Sequence, residues 1–131
     1  MAKPKLILIV GDDAAERNLI RGSLEERGFA VTALGDSVSA VRELLKSNFD
    51  LVVMNLAHAD DSVELVEQIR GRPDLANTLL LVIAEWGTGQ ASLALAQGAD
   101  AFEPWPIETD RLISAIDRML HQHAAAAERG S

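Results

Sequence analysis

Short, uninterrupted apolar runs that alternate with amphipathic stretches constrain this chain more than any other feature. Leu6-Ile7-Leu8-Ile9-Val10 offers no polar residue to turn toward water, so as a strand it needs cover on both faces. Asp50-Leu51-Val52-Val53-Met54-Asn55 and Leu79 to Ala84 repeat the pattern, Phe29 to Leu34 alternates in part, and Asp100 to Glu103 supplies a fifth, shorter run. Helical spacing fills the gaps. Asp13 caps a first helix, with Glu16 at capping-box spacing, Leu19, Ile20 and Leu24 on its buried face and Gly28 as its stop. Val38, Val41, Leu44 and Leu45 mark a second helix with Ser37 as its cap, and Val63, Leu65, Val66 and Ile69 a third that ends before Gly71 and Pro73. Gln90–Gln97 is a short Ala/Leu helix closed by Gly98, and Ile107–Leu120 is a last amphipathic one. Strands and helices in strict alternation require right-handed crossovers and a parallel sheet covered on both sides, an α/β fold. Neither an internal repeat nor a second-domain boundary is visible, so residues 1–121 read as one domain. Residues 122–131 are Ala-rich without a core face and read as a flexible tail or the start of a linker.

A chain of 131 residues can bury a core of its own. Its formal net charge of −8 argues against a general binder of nucleic acid or anionic membrane, because both surfaces repel it. Cysteine is absent, which removes disulfides, thiol nucleophiles and thiolate metal sites together and agrees with a cytoplasmic location. The apolar run after the Lys-Pro-Lys start is too short for a signal-peptide core. No run reaches the roughly 18 apolar residues that would span a bilayer.

In a sheet of this kind the functional crevice lies at the carboxyl ends of the strands, where strand order switches. The residues to weigh are therefore Asp12 and Asp13, Asn55, Ile83 to Trp86, and Glu103 to Pro106. At those ends the sequence resembles the receiver domain of bacterial response regulators, over about Lys5 to Leu120. The likeness rests on the acidic pair Asp12-Asp13 after the first apolar run and on Phe49-Asp50-Leu51-Val52-Val53-Met54. Gln97-Gly98-Ala99-Asp100-Ala101-Phe102, with Pro106 beyond, completes it. The resemblance implies a flavodoxin-like, doubly wound (βα)5 fold with five parallel strands in the order 2-1-3-4-5.

It also implies a chemistry, and here the sequence departs from the family. Receivers use an acidic pair to hold Mg²⁺, an aspartate ending the third strand to accept a phosphoryl group, a Thr or Ser ending the fourth strand and a Lys ending the fifth. Mg²⁺ takes hard oxygen ligands, and the two cations offset charge on the transferring group. The acidic pair is present, but the acceptor position reads Asn55. Counted from Gly98, the hydroxyl position falls on Ile83 and the lysine position on Trp105. His58-Ala59 replaces the usual Met-Pro. A carboxamide is a poor nucleophile and forms no acyl phosphate. The residues therefore describe a degenerate, or pseudo-receiver, centre.

Each residue also has a plainer reading. Asp12 and Asp13 serve as helix cap and dipole partners, with loose Mg²⁺ binding at most and no other cofactor expected. Asn55 hydrogen-bonds within a closed site, while Ile83 and Trp105 fill part of the former phosphate cavity. Trp86 and Trp105 have a second reading as partner-facing anchors. Phe102, where receivers carry a switching aromatic, reads as a fixed core or semi-buried aromatic. His58, Asp60 and Asp61 read as solvated loop residues, and His121 and His123, two apart on the tail, as no ligand pair.

A nucleophile and a base do not converge at the strand ends, so no catalysis is expected. The expected function is a signal-transduction module working by phosphorylation-independent protein–protein interaction. The alternative is a phosphorelay receiver with an altered site. A flavodoxin-like phosphate or cofactor binder is disfavoured, because Gly11-Asp12-Asp13 presents carboxylates where a phosphate cradle needs amides. Expected partners are a histidine kinase, an output domain or a second copy of the chain. The family's common docking face places Asp100, Phe102, Trp105, Arg111 and Arg118 at the contact.

Overall fold

Central apolar strands flanked by two half-covered edges organise the molecule. The computed structural model describes residues 3–56 and 62–129. Its elements run β1 (Leu6–Val10), α1 (Ala14–Glu26), β2 (Ala30–Leu34), α2 (Ser37–Lys46), β3 (Leu51–Asn55), α3 (Ser62–Arg70), a single 3₁₀ turn (Pro73–Leu75), β4 (Leu79–Glu85), α4 (Gln90–Gln97), β5 (Ala101–Trp105) and α5 (Thr109–Arg129). All pairings are parallel, in the order β2-β1-β3-β4-β5. The flavodoxin-like order that the sequence implied is the one observed.

Alternation along each strand divides the core in two. Leu8, Val10, Val52, Met54, Leu80 and Val82 face α2, α3 and α4 through Ala40, Leu44, Leu65, Val66, Ile69 and Ala94. On the other side Ile7, Ile9, Leu51, Val53, Leu81 and Ile83 meet Ile20 and Leu24 of α1 and Leu112, Ile113 and Ile116 of α5. A strand between two helical layers has no polar face, which is why β1, β3 and β4 read as continuous apolar runs. The edge strands β2 and β5 are half-buried along their whole length. Pro104 sits in β5, and an edge is where a strand tolerates a missing N–H.

Several local expectations shift. Ile20 with Leu24, and Ala40 with Leu44, carry the helix–sheet contacts at i,i+4 spacing. Leu19, Val38 and Leu45 are exposed, being rotated off those faces. Asp36 rather than Ser37 caps α2: one carboxylate oxygen accepts the Ser39 N–H at 2.7 Å and the other the Ser39 hydroxyl at 3.0 Å. β5 begins one residue later and ends two later than expected, because its ladder to β4 runs on through Ala84↔Pro104 and Glu85↔Trp105. α5 starts at Thr109, behind the Glu108 carbonyl that accepts from Leu112. It also continues helically to Arg129, past residue 121. Alanine extends a helix already nucleated by its packed turns, so the backbone of the Ala-rich segment is regular as far as Arg129.

Candidate functional site

The carboxyl ends of β1, β3, β4 and β5 converge beside the N-terminus of α1. Gly11 follows β1 and lets β3 approach closely: a Cβ added there would lie 3.3 Å from the Cβ of Asn55. Asp12 and Asp13 come next, both exposed. Asp13 is the cap that the sequence suggested, extended at φ −91° and ψ 110°, and its Oδ1 accepts the Glu16 N–H at 3.0 Å. The other half of the capping box is not made as expected, because the Glu16 carboxylate turns inward. The Asn55 carboxamide donates through Nδ2 to Glu16 Oε1, and the Trp105 indole N–H donates to Glu16 Oε2 at 3.1 Å. One side chain from α1 thus binds the last residue of β3 and the last residue of β5. Beside it Arg17 folds back, its guanidinium donating to the Gly11 carbonyl at 2.5 Å.

Asn55 is buried, 7% exposed, and lies in register with Ile83 on the neighbouring strand. Ile83 is fully buried in the core beneath α1 and α5, and Trp105 packs against the same cluster. The three residues singled out from the sequence therefore stand together. Among the described residues, their surroundings include an apolar floor, a carboxamide, an indole and a glutamate. A phosphoryl group there would meet an anion and no basic side chain from positions 55, 83 or 105.

A hard divalent cation takes several oxygens at once. Asp13 is engaged as a cap and Glu16 faces away toward Asn55 and Trp105. Among the described residues no group of three or more His, Asp or Glu is placed to hold a metal. His58, Asp60 and Asp61 lie outside the described residues. His121 and His123 are exposed on α5.

The residues expected on the docking face separate into different environments. Asp100, just before β5, accepts the Leu80 N–H at 2.8 Å and pairs with the Arg70 guanidinium at 2.8 Å, so its carboxylate holds β4, β5 and α3 together. Phe102 is half-buried and meets the edge of Trp86 at 5.3 Å with the rings at 86°. Trp86 itself is 73% exposed. The two aromatics line a groove of about 350 Å³ with Ala91 and Leu95. Arg111 pairs with Glu103 at 3.2 Å, and Arg118 is exposed on α5. Of the two tryptophans, Trp86 presents its ring to solvent while Trp105 is drawn into the centre. Sequence reasoning missed what Glu16 and Arg70 do. Glu16 carried a signal only as a capping residue, and Arg70 carried none beyond a basic residue in a helix's last turn.

Comparison with known proteins agrees with this architecture. The family described as the response regulator receiver domain matches residues 7–117. Protein PetR of Rhodobacter capsulatus is 32% identical over 130 residues, covering 98% of this chain and 54% of PetR. Response regulator MprA of Mycobacterium tuberculosis is 28% identical over 117 residues, 88% of this chain and 50% of MprA. The chain thus spans about half the length of these relatives. The signal receiver domain of a histidine kinase from Syntrophus aciditrophicus superposes with a TM-score of 0.82 at 26% identity, covering 90% of this chain and 91% of that one. A CheY-like receiver protein from Methanospirillum hungatei shares the fold at a TM-score of 0.85 and 22% identity, over 94% and 98% of the two chains.

Proposed function

The chain belongs to the response regulator receiver domain family, and from that premise we propose that it acts by protein–protein interaction without phosphorylation at position 55. The observation that carries this reading is the Asn55 carboxamide bound to Glu16, which also holds Trp105. An amide at the end of β3 has no nucleophilic oxygen of the kind that forms an acyl phosphate. Ile83 supplies no hydroxyl to a phosphoryl oxygen and Trp105 no counter-charge. The module works as a binder and not as an enzyme, and without a resident cation at Asp12 and Asp13.

Its partners are another signalling protein, a histidine kinase or an output domain, or a second copy of the chain. The surface offered to them runs from the Trp86–Phe102 groove across β5 to Arg111 and Arg118 on α5, with Trp86 as the exposed anchor. A partner that favours one conformation shifts the population by its differential affinity, with no phosphate involved. The net charge of −8 speaks against nucleic acid and anionic membrane as direct partners. No described helix is long and apolar enough to cross a membrane, and the module is proposed to work in the cytoplasm.

Incubation with acetyl phosphate and Mg²⁺ followed by intact mass measurement tests the reading. An unchanged mass is expected; one added phosphoryl group would favour a phosphorelay receiver with an altered site.

A further inference from the structure

We infer that Glu16 is the positioning residue of this centre: its carboxylate ties β3 to β5 across the end of β4 and excludes oxyanions from the crevice. The inference rests on the reading of position 55 given above and assigns its regulation to a residue on α1. β3 and β5 are not neighbours, since β4 lies between them. Each oxygen of Glu16 takes a donor from one of them, Nδ2 of Asn55 and Nε1 of Trp105. An exposed capping glutamate would instead return to the N-cap backbone. Here it leaves that role to make two bonds with an ionised acceptor, which are stronger than neutral ones. Both bonds are part-buried, and Asn55 lies in register with the fully buried Ile83. The indole has one N–H and Glu16 accepts it, so the Trp105 ring orientation follows the Glu16 side chain. A phosphate oxygen entering between Asn55 and Trp105 would have to displace a tethered carboxylate from the same two donors and bear its repulsion.

The indole N–H signals of ¹⁵N-labelled protein read this directly, with Trp86→Phe assigning which signal is Trp105. Glu16→Ala is expected to shift the Trp105 indole signal and speed its exchange with water about tenfold, as loss of one charge-assisted bond allows. Trp86 should stay in place. Glu16→Gln keeps the shape and one acceptor oxygen, so it should give a smaller shift in the same direction and a folded protein even if Glu16→Ala fails to fold. A Trp105 signal equally placed and equally protected in the wild type and in Glu16→Gln, or in a folded Glu16→Ala, overturns the tether. Titration of the wild type with inorganic phosphate should leave the Trp105 indole and the Asn55 side-chain amide signals unmoved; a saturable shift of either overturns the exclusion. These readouts are independent of the mass measurement. A wild type that gains a phosphoryl group while its Trp105 signal depends on Glu16 would sink the proposed function and keep the tether.

Discussion

Two carboxylates, one at each end of the sheet, are held by N–H donors from other elements, and the donors differ in kind. At the amino end of β5, Asp100 takes the Leu80 backbone N–H and the guanidinium of Arg70. Arg70 also donates through Nε to the Gly98 carbonyl at 2.8 Å and reaches the Leu75 carbonyl at 3.3 Å. At the carboxyl end, Glu16 takes a carboxamide and an indole, both neutral. The first arrangement balances charge and joins α3, α4, β4 and β5, as a fold-stabilising contact should. The second leaves an anion facing a crevice where a receiver would hold an anion of its own. The amino end of the sheet thus keeps a charge-balanced contact, while the carboxyl end holds its carboxylate on neutral donors.

The comparison can be broken most severely at Arg70. Arg70→Ala removes bonds to Gly98, Leu75 and Asp100 together, and is expected to lower unfolding stability by about 2–3 kcal/mol in urea titrations, since hydrogen bonds to charged groups carry most of it. A loss below about 0.5 kcal/mol would reduce this end to an ordinary surface ion pair.

Asn55→Asp sharpens the other end. It sets a second carboxylate against Glu16, and two like charges at that distance do not both ionise freely. The expected cost at neutral pH is about 1–2 kcal/mol. Repulsion from Glu16 favours the protonated form of the new carboxyl. The variant should therefore regain stability as pH falls into the acid range, and lose it as pH rises. Adding Glu16→Gln should remove most of the penalty at pH 7. Asn55→Asp alone should show no acetyl phosphate-dependent switching, because Ile83 and Trp105 are unchanged. A thermal midpoint indifferent to both pH and Glu16→Gln would separate the two residues, contrary to the geometry.

A third carboxylate sets the scale for full solvation. The Ser39 backbone N–H, and then its hydroxyl, hold Asp36 below the ordinary carboxylate range. Because the folded pKa is lowered, its stabilisation of α2 is present above the unfolded value of 3.8 and fades as pH drops through the folded one. Asp36→Ala should lower the thermal midpoint slightly at neutral pH and make no difference in strong acid. An acid-independent loss would point to packing rather than to the cap.

How far the sequence could be read follows from what each signal depends on. The apolar runs of β1, β3 and β4 located the central strands because a strand covered on both faces cannot carry polar residues. Edge strand β5 was read short: Pro104 breaks the strand signal after Glu103, and Pro104 and Trp105 are held by the ladder to Ala84 and Glu85. Position 55 was legible as the end of the third apolar run, and positions 83 and 105 through their spacing from Gly98. Glu16 was legible only as a capping residue, since which way its carboxylate turns depends on residues 39 and 89 positions away. Arg70 was silent for the same reason, its partner Asp100 lying 30 residues on.

The family resemblance implied that Asn55, Ile83 and Trp105 stand where receivers carry an acidic, a hydroxylic and a basic side chain. Composition and pattern by themselves determined the layered α/β class and the identity of the buried strands. Those follow from local periodicity and residue chemistry, which need no knowledge of what lies across the molecule. Only the tertiary structure decided that Glu16 abandons its own helix end for Asn55 and Trp105, that Trp86 stays in solvent while Trp105 turns inward, and that Asp100 belongs to Arg70. A hydrogen bond forms where donor and acceptor meet within about 3 Å, and for these pairs the meeting is arranged by the packing of strands and helices far apart in sequence.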